Sequence, residues 1–214
     1  MSFFWERFFY FLTFLLQGAS FLNPRAYAVL HRKHHAYSDT EKDPHSPMYF
    51  KSPWQMMLNT YHYYRGIVER KIPLEKELEQ GYPEWKGFDE FADGRLSRVI
   101  FILSYIAIYV ALKAEWWMYV FIPVHILMGP IHGAIVNWCG HKYGYETFKN
   151  GDNSKNSLPV DIVCAGELMQ NNHHRYPKNI NFAVKKFEFD IGHAFVRMML
   201  ALGIMTLSSQ KEIL

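Results

Sequence analysis

Two apolar stretches separated by only three residues constrain the fold of this chain most. Residues 99–112 read VIFILSYIAIYVAL, and residues 116–136 read WWMYVFIPVHILMGPIHGAIV. A bilayer offers no water to the backbone, so a single segment that crosses it must satisfy its own hydrogen bonds as a helix. The second stretch has 21 residues, which is enough to cross the apolar layer. We therefore predict a transmembrane helical hairpin.

A third apolar segment lies near the N-terminus. Residues 8–22 read FFYFLTFLLQGASFL, which is shorter than the roughly 20 residues that a full crossing needs. A signal peptide is the alternative, with Gly18-Ala19-Ser20 as a cleavage site, but its basic start is missing because Glu6 and Arg7 cancel. We predict a short or steeply embedded membrane helix.

The rest of the chain is polar enough to face water. Half of the 214 residues are hydrophobic and 17% are aromatic, yet long polar segments alternate with the apolar ones. This pattern predicts an all-α integral membrane protein, a single domain over residues 1–214, with water-facing parts at 23–98 and 137–214. Within these parts the sequence predicts helices at residues 25–37, 52–69, 74–79 and 163–175.

Charge and cysteine content exclude several classes of protein. The formal net charge is only +3, and no basic helix or glycine–aromatic motif indicates a nucleic-acid partner. Cys139 and Cys164 are isolated in the sequence and form no CxxC pair. We therefore expect neither a zinc ribbon nor a disulfide framework.

Basic residues indicate the orientation of the hairpin. Arg95 and Arg98 precede it, and Lys142, Lys149 and Lys155 follow it. Lysine and arginine are enriched on the cytoplasmic side of membrane segments, so both ends of the hairpin are predicted to face the cytoplasm. The compartment is then a bacterial inner membrane or the endoplasmic reticulum.

Two histidine motifs flank the hairpin in sequence and lie on this predicted cytoplasmic side. They are His31-Arg32-Lys33-His34-His35 and Gln170-Asn171-Asn172-His173-His174. Positions i, i+3 and i+4 share one face of a helix, so each motif directs two or three metal-type ligands the same way. His141 follows the hairpin directly, four residues after Asn137. A basic surface is the alternative for one motif alone, but two motifs with His141 favour a metal centre.

Three further histidines have simpler interpretations. His125 and His132 lie within the hairpin, where a hydrogen bond that packs helices together is expected. His45 lies in Asp43-Pro44-His45 and is expected to be structural or to orient a loop near the metals.

The donor types indicate which metal would bind. Cysteine ligands are lacking in the motifs, and six candidate imidazoles exceed the needs of one tetrahedral zinc ion. Several neutral imidazoles around two ions suit iron with positions open to oxygen. Chemistry at a membrane surface would act on a lipid chain, whose unactivated C–H bonds cannot be broken by acid or base catalysis and require an oxidising metal centre.

An ordered set of motifs resembles the membrane fatty-acid desaturases, particularly the bacterial stearoyl-CoA-type (delta-9) branch. These motifs are His31–His35, Asp43-Pro44-His45, Asn137-x-x-x-His141, Gly166-Glu167 and Gln170–His174. The resemblance extends over nearly the whole chain. It implies membrane helices beneath a cytoplasmic helical cap that carries a histidine-bound di-iron centre. It also implies insertion of a cis double bond into a fatty acyl thioester, with O2 as co-substrate.

The resemblance assigns roles to individual residues and partners. It implies that the metal ligands are His31, His34, His35, His141, His173 and His174. Asn137 matches the residue that holds a metal-bound water. Electrons would come from a separate donor protein, such as a ferredoxin, a rubredoxin or a cytochrome b5-like protein.

Two departures from the family pattern change what is expected of this chain. Gln170 stands where the third histidine box usually begins with histidine, so it is expected to be a weak ligand or a hydrogen-bonding neighbour of the ligands. No histidine precedes His31, so the family's first box and first membrane helix are missing. We therefore expect either an N-terminally incomplete domain, which we favour, or a degenerate member of the family. In both cases we expect incomplete metal binding and weak activity.

Two other functions remain open. A lipid hydroxylase of the same di-iron type would use similar ligands on a similar substrate. A non-catalytic membrane protein that binds metal would need the histidines but would make no acyl product.

Overall fold

The computed structural model describes residues 1–207, and this part of the chain is mostly helical. Its α-helices are α1 Phe3–Gln17, α2 Pro24–Tyr37, α3 Pro53–Val68, α4 Lys86–Ala92, α5 Arg95–Ala111, α6 Phe121–Ala134, α7 Gln170–Arg175 and α8 Ile191–Ala201. Two short strands, β1 Val160–Asp161 and β2 Phe189–Asp190, pair in parallel. The predicted helical class is confirmed at this level. Residues 208–214, the end of the predicted cytoplasmic part, lie outside the described residues.

Helices α5 and α6 form a helical hairpin over the two apolar stretches, and its crossing of a membrane stays a prediction. A 3-10 turn before α6 and a π-helical turn after it make one continuous helix, Trp116–Cys139, that is long and apolar enough to cross a membrane. Helices α4 and α5 meet that criterion only together, and they are bent by 52° where they join. Tyr109 on α5 and His125 on α6 share a hydrogen bond of 2.9 Å. His125 therefore has the helix-packing role that the sequence predicts.

The N-terminal apolar segment differs from the predicted single helix over residues 8–22. Helix α1 ends at Gln17 because Gly18 adopts the left-handed conformation, with φ at +55°. The next residues form a tight turn that α5 holds in place. Tyr105 accepts a hydrogen bond from the Ala19 amide at 3.0 Å, and Arg98 donates to the Ala19 carbonyl at 2.6 Å. This turn redirects the chain from α1 into α2.

Helices α2 and α3 confirm the predictions for residues 25–37 and 52–69. Asn23 and Ser52 cap their N-termini through side-chain oxygens, and each helix has proline at its first position. One face of α2 packs on α3 through the buried side chains of Ala26, Val29, Leu30, Tyr64 and Ile67. This packing sets the direction in which the histidines of α2 point.

The prediction of a solvated helix at residues 74–79 is wrong. That segment forms turns, and Leu78 is buried in the core between α2 and α3. The charged residues of this segment indicated solvent exposure, but two of its glutamates, Glu75 and Glu79, contact side chains of α2. Glu79 pairs with the buried Arg25, and Glu75 accepts a hydrogen bond from Tyr37.

The predicted helix at residues 163–175 is also wrong over its first half, where the chain forms turns instead. The Asp161 carboxylate accepts hydrogen bonds from the amides of Cys164, Gly166 and Leu168. These amides would otherwise enter a helical ladder, so the carboxylate competes with the helix. Ala165 and Gly166 both have positive φ, and only α7 remains helical.

The turn after α1 generates a stability prediction. Gly18→Ala should destabilise the protein more than the matched change Gly81→Ala. Both glycines have nearly the same positive φ, +55° and +57°, so an alanine would be strained at either position. A Cβ at position 18 would lie 1.9 Å from the Tyr105 hydroxyl oxygen, whereas nothing lies within 4 Å at position 81. Thermal unfolding in detergent measures the difference, and equal losses would contradict the packing argument.

Candidate metal centre

Three separate parts of the chain bring all six predicted histidine ligands into one buried region. Helix α2 provides three of them, α7 provides two, and His141 follows the π-helical turn after α6. Only 1% of His34 and His141 is exposed, and 4% of His173. The six side chains divide into two sets of three.

The first set consists of His31, His35 and His173. Their Nε2 atoms lie 3.1, 2.9 and 3.4 Å from one another. Nitrogen ligands about 2.0–2.1 Å from a shared ion lie roughly 2.9–3.4 Å apart. The three nitrogens therefore have the spacing that a single metal ion requires.

The second set consists of His34, His141 and His174. Each pair of ring centroids is 4.9 Å apart, so the three rings form a regular triangle. All three Nε2 atoms are buried and have no hydrogen-bond partner among the described residues. A buried polar atom without a partner costs about 1–3 kcal/mol, and a bound cation would supply the missing partner.

A carboxylate orients each ring of the second set. The Nδ1 atom of His34 lies 2.8 Å from Asp43, that of His141 lies 3.0 Å from Asp39, and that of His174 lies 2.6 Å from Asp152. A hydrogen bond at Nδ1 leaves the Nε2 lone pair directed away from the carboxylate, as in many metal sites. The three aspartates thus direct three lone pairs towards a common region.

These aspartates also hold the loops that carry them. Asp39 accepts hydrogen bonds from Ser46 at 2.6 Å and from the Asn153 amide at 2.7 Å. Asp152 accepts from the Ser154 amide at 3.0 Å. Burial opposes ionisation of both carboxyls, but their bonds to histidine and serine outweigh it, so the pKa of each is lowered. They remain charged acceptors at neutral pH.

Burial also keeps the imidazoles of α2 and His173 neutral. Desolvation, reinforced by neighbouring imidazoles, lowers the pKa of His31 to about 4 and that of His173 to about 3. The same causes lower the pKa of His34 and His35. A neutral imidazole has a free lone pair, so metal binding at these rings would require no proton to leave at neutral pH.

Two asparagines hold α7, which is too short to be stable alone. Asn171 accepts from the Thr147 and Phe148 amides, both at 2.8 Å. The Asn172 side chain accepts a hydrogen bond from the side-chain amide of Asn156 at 2.9 Å and donates one to Glu188 at 3.0 Å. The two residues between Gln170 and His173 are therefore anchors for the histidines beside them.

The remaining predicted site residues are Gln170 and Asn137. The Gln170 side chain packs against Gly140, and a Cβ added to Gly140 would lie 2.5 Å from the Gln170 Cγ. The Gln170 Oε1 atom is buried and has no hydrogen-bond partner among the described residues. Asn137 lies in the π-helical turn, and its amide nitrogen donates to Gly133 at 2.9 Å.

Sequence reasoning missed the three orienting aspartates and the two anchoring asparagines. Asp39 and Asp43 follow the first motif closely, and Asp152 lies in a polar turn. A search for one carboxylate partner per histidine ligand would have suggested them, but not which aspartate serves which ring.

Comparison with known proteins identifies the family of this chain. The family described as fatty acid desaturase matches residues 2–184. Delta-9 desaturase-like 5 protein of Arabidopsis thaliana is 25% identical over 92% of this chain and 62% of its own length. The sn-1 stearoyl-lipid 9-desaturase of Synechocystis is 27% identical over 90% of this chain and 56% of its own length.

The name of a third relative specifies an acyl-carrier protein instead of a lipid as the carrier of the acyl chain. Hex-5-enoyl-[acyl-carrier protein] acetylenase of Moorena producens is 25% identical over 84% of this chain and 59% of its own length. No solved structure matches the chain. This chain spans between 56% and 62% of the three relatives' lengths. The match covers most of the chain and includes both histidine sets, and on this ground the chain belongs to the fatty acid desaturase family.

Proposed function

We propose that this protein is a fatty acid desaturase whose histidine sets each hold one iron ion. His31, His35 and His173 would bind the first ion, and His34, His141 and His174 the second. The observation that carries the proposal is the convergence of the imidazole nitrogens in two sets of three. Gln170 would be a weak additional donor, since its buried Oε1 has no partner. Asn137 would act through a water molecule.

The reaction removes two hydrogens from adjacent methylene groups and forms a cis double bond. One O2 takes up those hydrogens together with two electrons and two protons, and two water molecules result. When bound, the iron pair supplies the one-electron oxidation that an unactivated C–H bond requires. The chain itself would orient the ligands of the second ion through the three aspartates and would exclude water by burial.

The exposed apolar helices favour a membrane location. Trp116 is 84% exposed and Leu112 76%, although both are large apolar residues in the hairpin. None of the apolar window in Trp116–Cys139 is buried within the protein. A bilayer would cover such a surface, and a bilayer is also where a fatty acyl substrate resides.

Orientation, carrier and electron donor complete the proposal. The basic residues around the hairpin favour a cytoplasmic metal centre. Resemblance to the stearoyl-CoA branch favours an acyl-CoA substrate, but the names of two relatives specify a lipid and an acyl-carrier protein. We propose a fatty acyl chain on one of these carriers, with electrons from a separate donor protein.

Metal content tests the two sets separately. His173→Ala should remove a ligand of the first set and His34→Ala a ligand of the second, so each should lower the iron content per chain below that of the unsubstituted protein. Mass spectrometry of the purified protein, with its concentration from amino-acid analysis, measures the ratio. His62→Ala is the control, because His62 is exposed on α3 and belongs to neither set. Unchanged iron in both variants would refute the assignment.

The orienting role of the carboxylates predicts a smaller effect. Asp152→Asn should weaken iron binding at the second set by about 10- to 100-fold, because the Nδ1 bond of His174 loses its charge. Titration with Fe2+ under anaerobic conditions measures the affinity. Glu69→Gln is the control, since it breaks an exposed ion pair with Arg65. Equal affinity in the two variants would show that Asp152 does not orient the ligand.

Product analysis distinguishes the desaturase from the two alternatives. Cells that express the chain should contain a small amount of an acyl chain with one new double bond, in keeping with the weak activity expected of it, and mass spectrometry of fatty acid methyl esters identifies this product. His34→Ala and His173→Ala should abolish this product without preventing membrane insertion, because neither residue lies in the apolar helices. A hydroxylated chain would instead indicate a hydroxylase. Bound iron with neither product would indicate a non-catalytic metal-binding protein.

A further inference from the structure

A polar cavity opens at the surface beside the two histidine sets. Its volume is about 250 Å3, and it is lined by residues 35–38, Thr40, the loop at residues 150–152 and His174. The cavity therefore lies between the end of α2 and the turn that carries the orienting carboxylate of His174. His35 belongs to the first set and His174 to the second, so a single cavity reaches one ligand of each set.

The burial of the histidines makes such an opening important for any ion that they bind. His34 and His141 are each 1% exposed, and His173 is 4% exposed. An ion can reach their nitrogens only by passing other protein groups. The ring centroids of His35 and His174 are 4.6 Å apart, and both residues line the cavity. An ion that passes beside these two rings arrives at both sets.

The groups that line the cavity suit a hydrated cation. The Asp152 side chain is 11% exposed, and its carboxylate would attract positive charge. Ser38 and Thr40 add hydroxyl oxygens, and no lysine or arginine is among the described residues that line the cavity. Six water molecules of about 30 Å3 each occupy about 180 Å3. The cavity is therefore large enough for a divalent ion with its first shell of water.

His174 is the second-set ring that borders this cavity, and it is bound along one edge. Its Nδ1 atom lies 2.6 Å from Asp152 and 3.4 Å from the Ser38 hydroxyl oxygen, whereas its Nε2 atom has no partner among the described residues. The loop behind it is fixed independently, because Asp39 accepts a hydrogen bond from the Asn153 amide at 2.7 Å. The ring can therefore turn aside while the walls of the cavity stay in place.

We propose that this cavity is the route by which a divalent metal ion enters and leaves the two histidine sets. The ion would be attracted by Asp152 and would pass beside the rings of His35 and His174. The inference rests on the proposed function, since it assumes that the two sets hold ions. It assigns a path for the ion and adds no ligand to either set.

Blocking the cavity tests the proposal through the kinetics of Co2+ binding, because the visible absorption of Co2+ changes when imidazoles replace water. Ala36 is exposed on α2 and lines the cavity, so Ala36→Trp should narrow it without removing a ligand. Binding of Co2+ to the purified chain and its extraction by EDTA should both slow at least about tenfold. The equilibrium affinity should stay the same, because the barrier lies on the path and not at the bound state. Ala201→Trp, at an exposed alanine of α8 outside the cavity, should change neither rate.

A second pair of variants tests the path through charge. Thr40 is exposed at the cavity, and its hydroxyl donates to the Tyr37 carbonyl at 2.6 Å. Thr40→Lys and Thr40→Glu both lose this bond, so each controls for its loss in the other. Co2+ should bind more slowly to Thr40→Lys than to Thr40→Glu, by at least about tenfold at low salt. The difference should shrink as salt is added, because salt screens the introduced charge.

The outcomes separate the route from the histidine sets. Unchanged rates in Ala36→Trp, or equal rates in the two Thr40 variants, overturn the proposal while the sets stand. If Ala36→Trp weakens the equilibrium affinity, it has displaced a ligand, and the Thr40 variants then decide. If the unsubstituted chain binds no Co2+, the histidine sets themselves are wrong, and the proposed route is overturned with them.

Discussion

The pairing of a buried imidazole with a buried carboxylate is the interaction on which this metal centre depends. An imidazole alone can turn either nitrogen towards a ligand, and in a dry interior it would lose hydrogen bonds at both. Asp39, Asp43 and Asp152 remove this freedom by binding Nδ1 of His141, His34 and His174. Each ring then has one remaining nitrogen, and the three remaining nitrogens point to one place. The charge on each carboxylate also makes its imidazole a better donor.

The aspartates couple the site to the loops around it. Asp39 joins the turn after α2 to the loop at Asn153, so it links two parts of the chain that lie far apart in sequence. Asp43 joins His34 on α2 to the loop that carries His45. The ligands and their supports therefore form one network, and displacement of one loop would move a histidine.

The apolar helices and the metal centre meet at the turn after α1. Gly18 allows the chain to reverse there, and Arg98 and Tyr105 of α5 hold the turn through backbone hydrogen bonds. Helix α2 begins directly after this turn, so the hairpin fixes where the first histidine motif starts. The same hairpin ends at His141, which enters the second set. The apolar helices thus position histidines of both sets.

The sequence by itself determined the helical class, the hairpin and the identity of the candidate ligands. Apolar runs of this length must be helical in a membrane, and histidines at i, i+3 and i+4 must share a face, because both rules follow from backbone geometry alone. Only the tertiary structure decided how the six histidines divide into two sets, since His34 and His35 are neighbours in sequence yet belong to different sets. It also decided which carboxylate serves which ring, and that Asp161 replaces a predicted helix with turns. The division into two sets depends on contacts between residues more than a hundred positions apart, such as His35 with His173 and His141 with Asp39, and no local pattern contains that information.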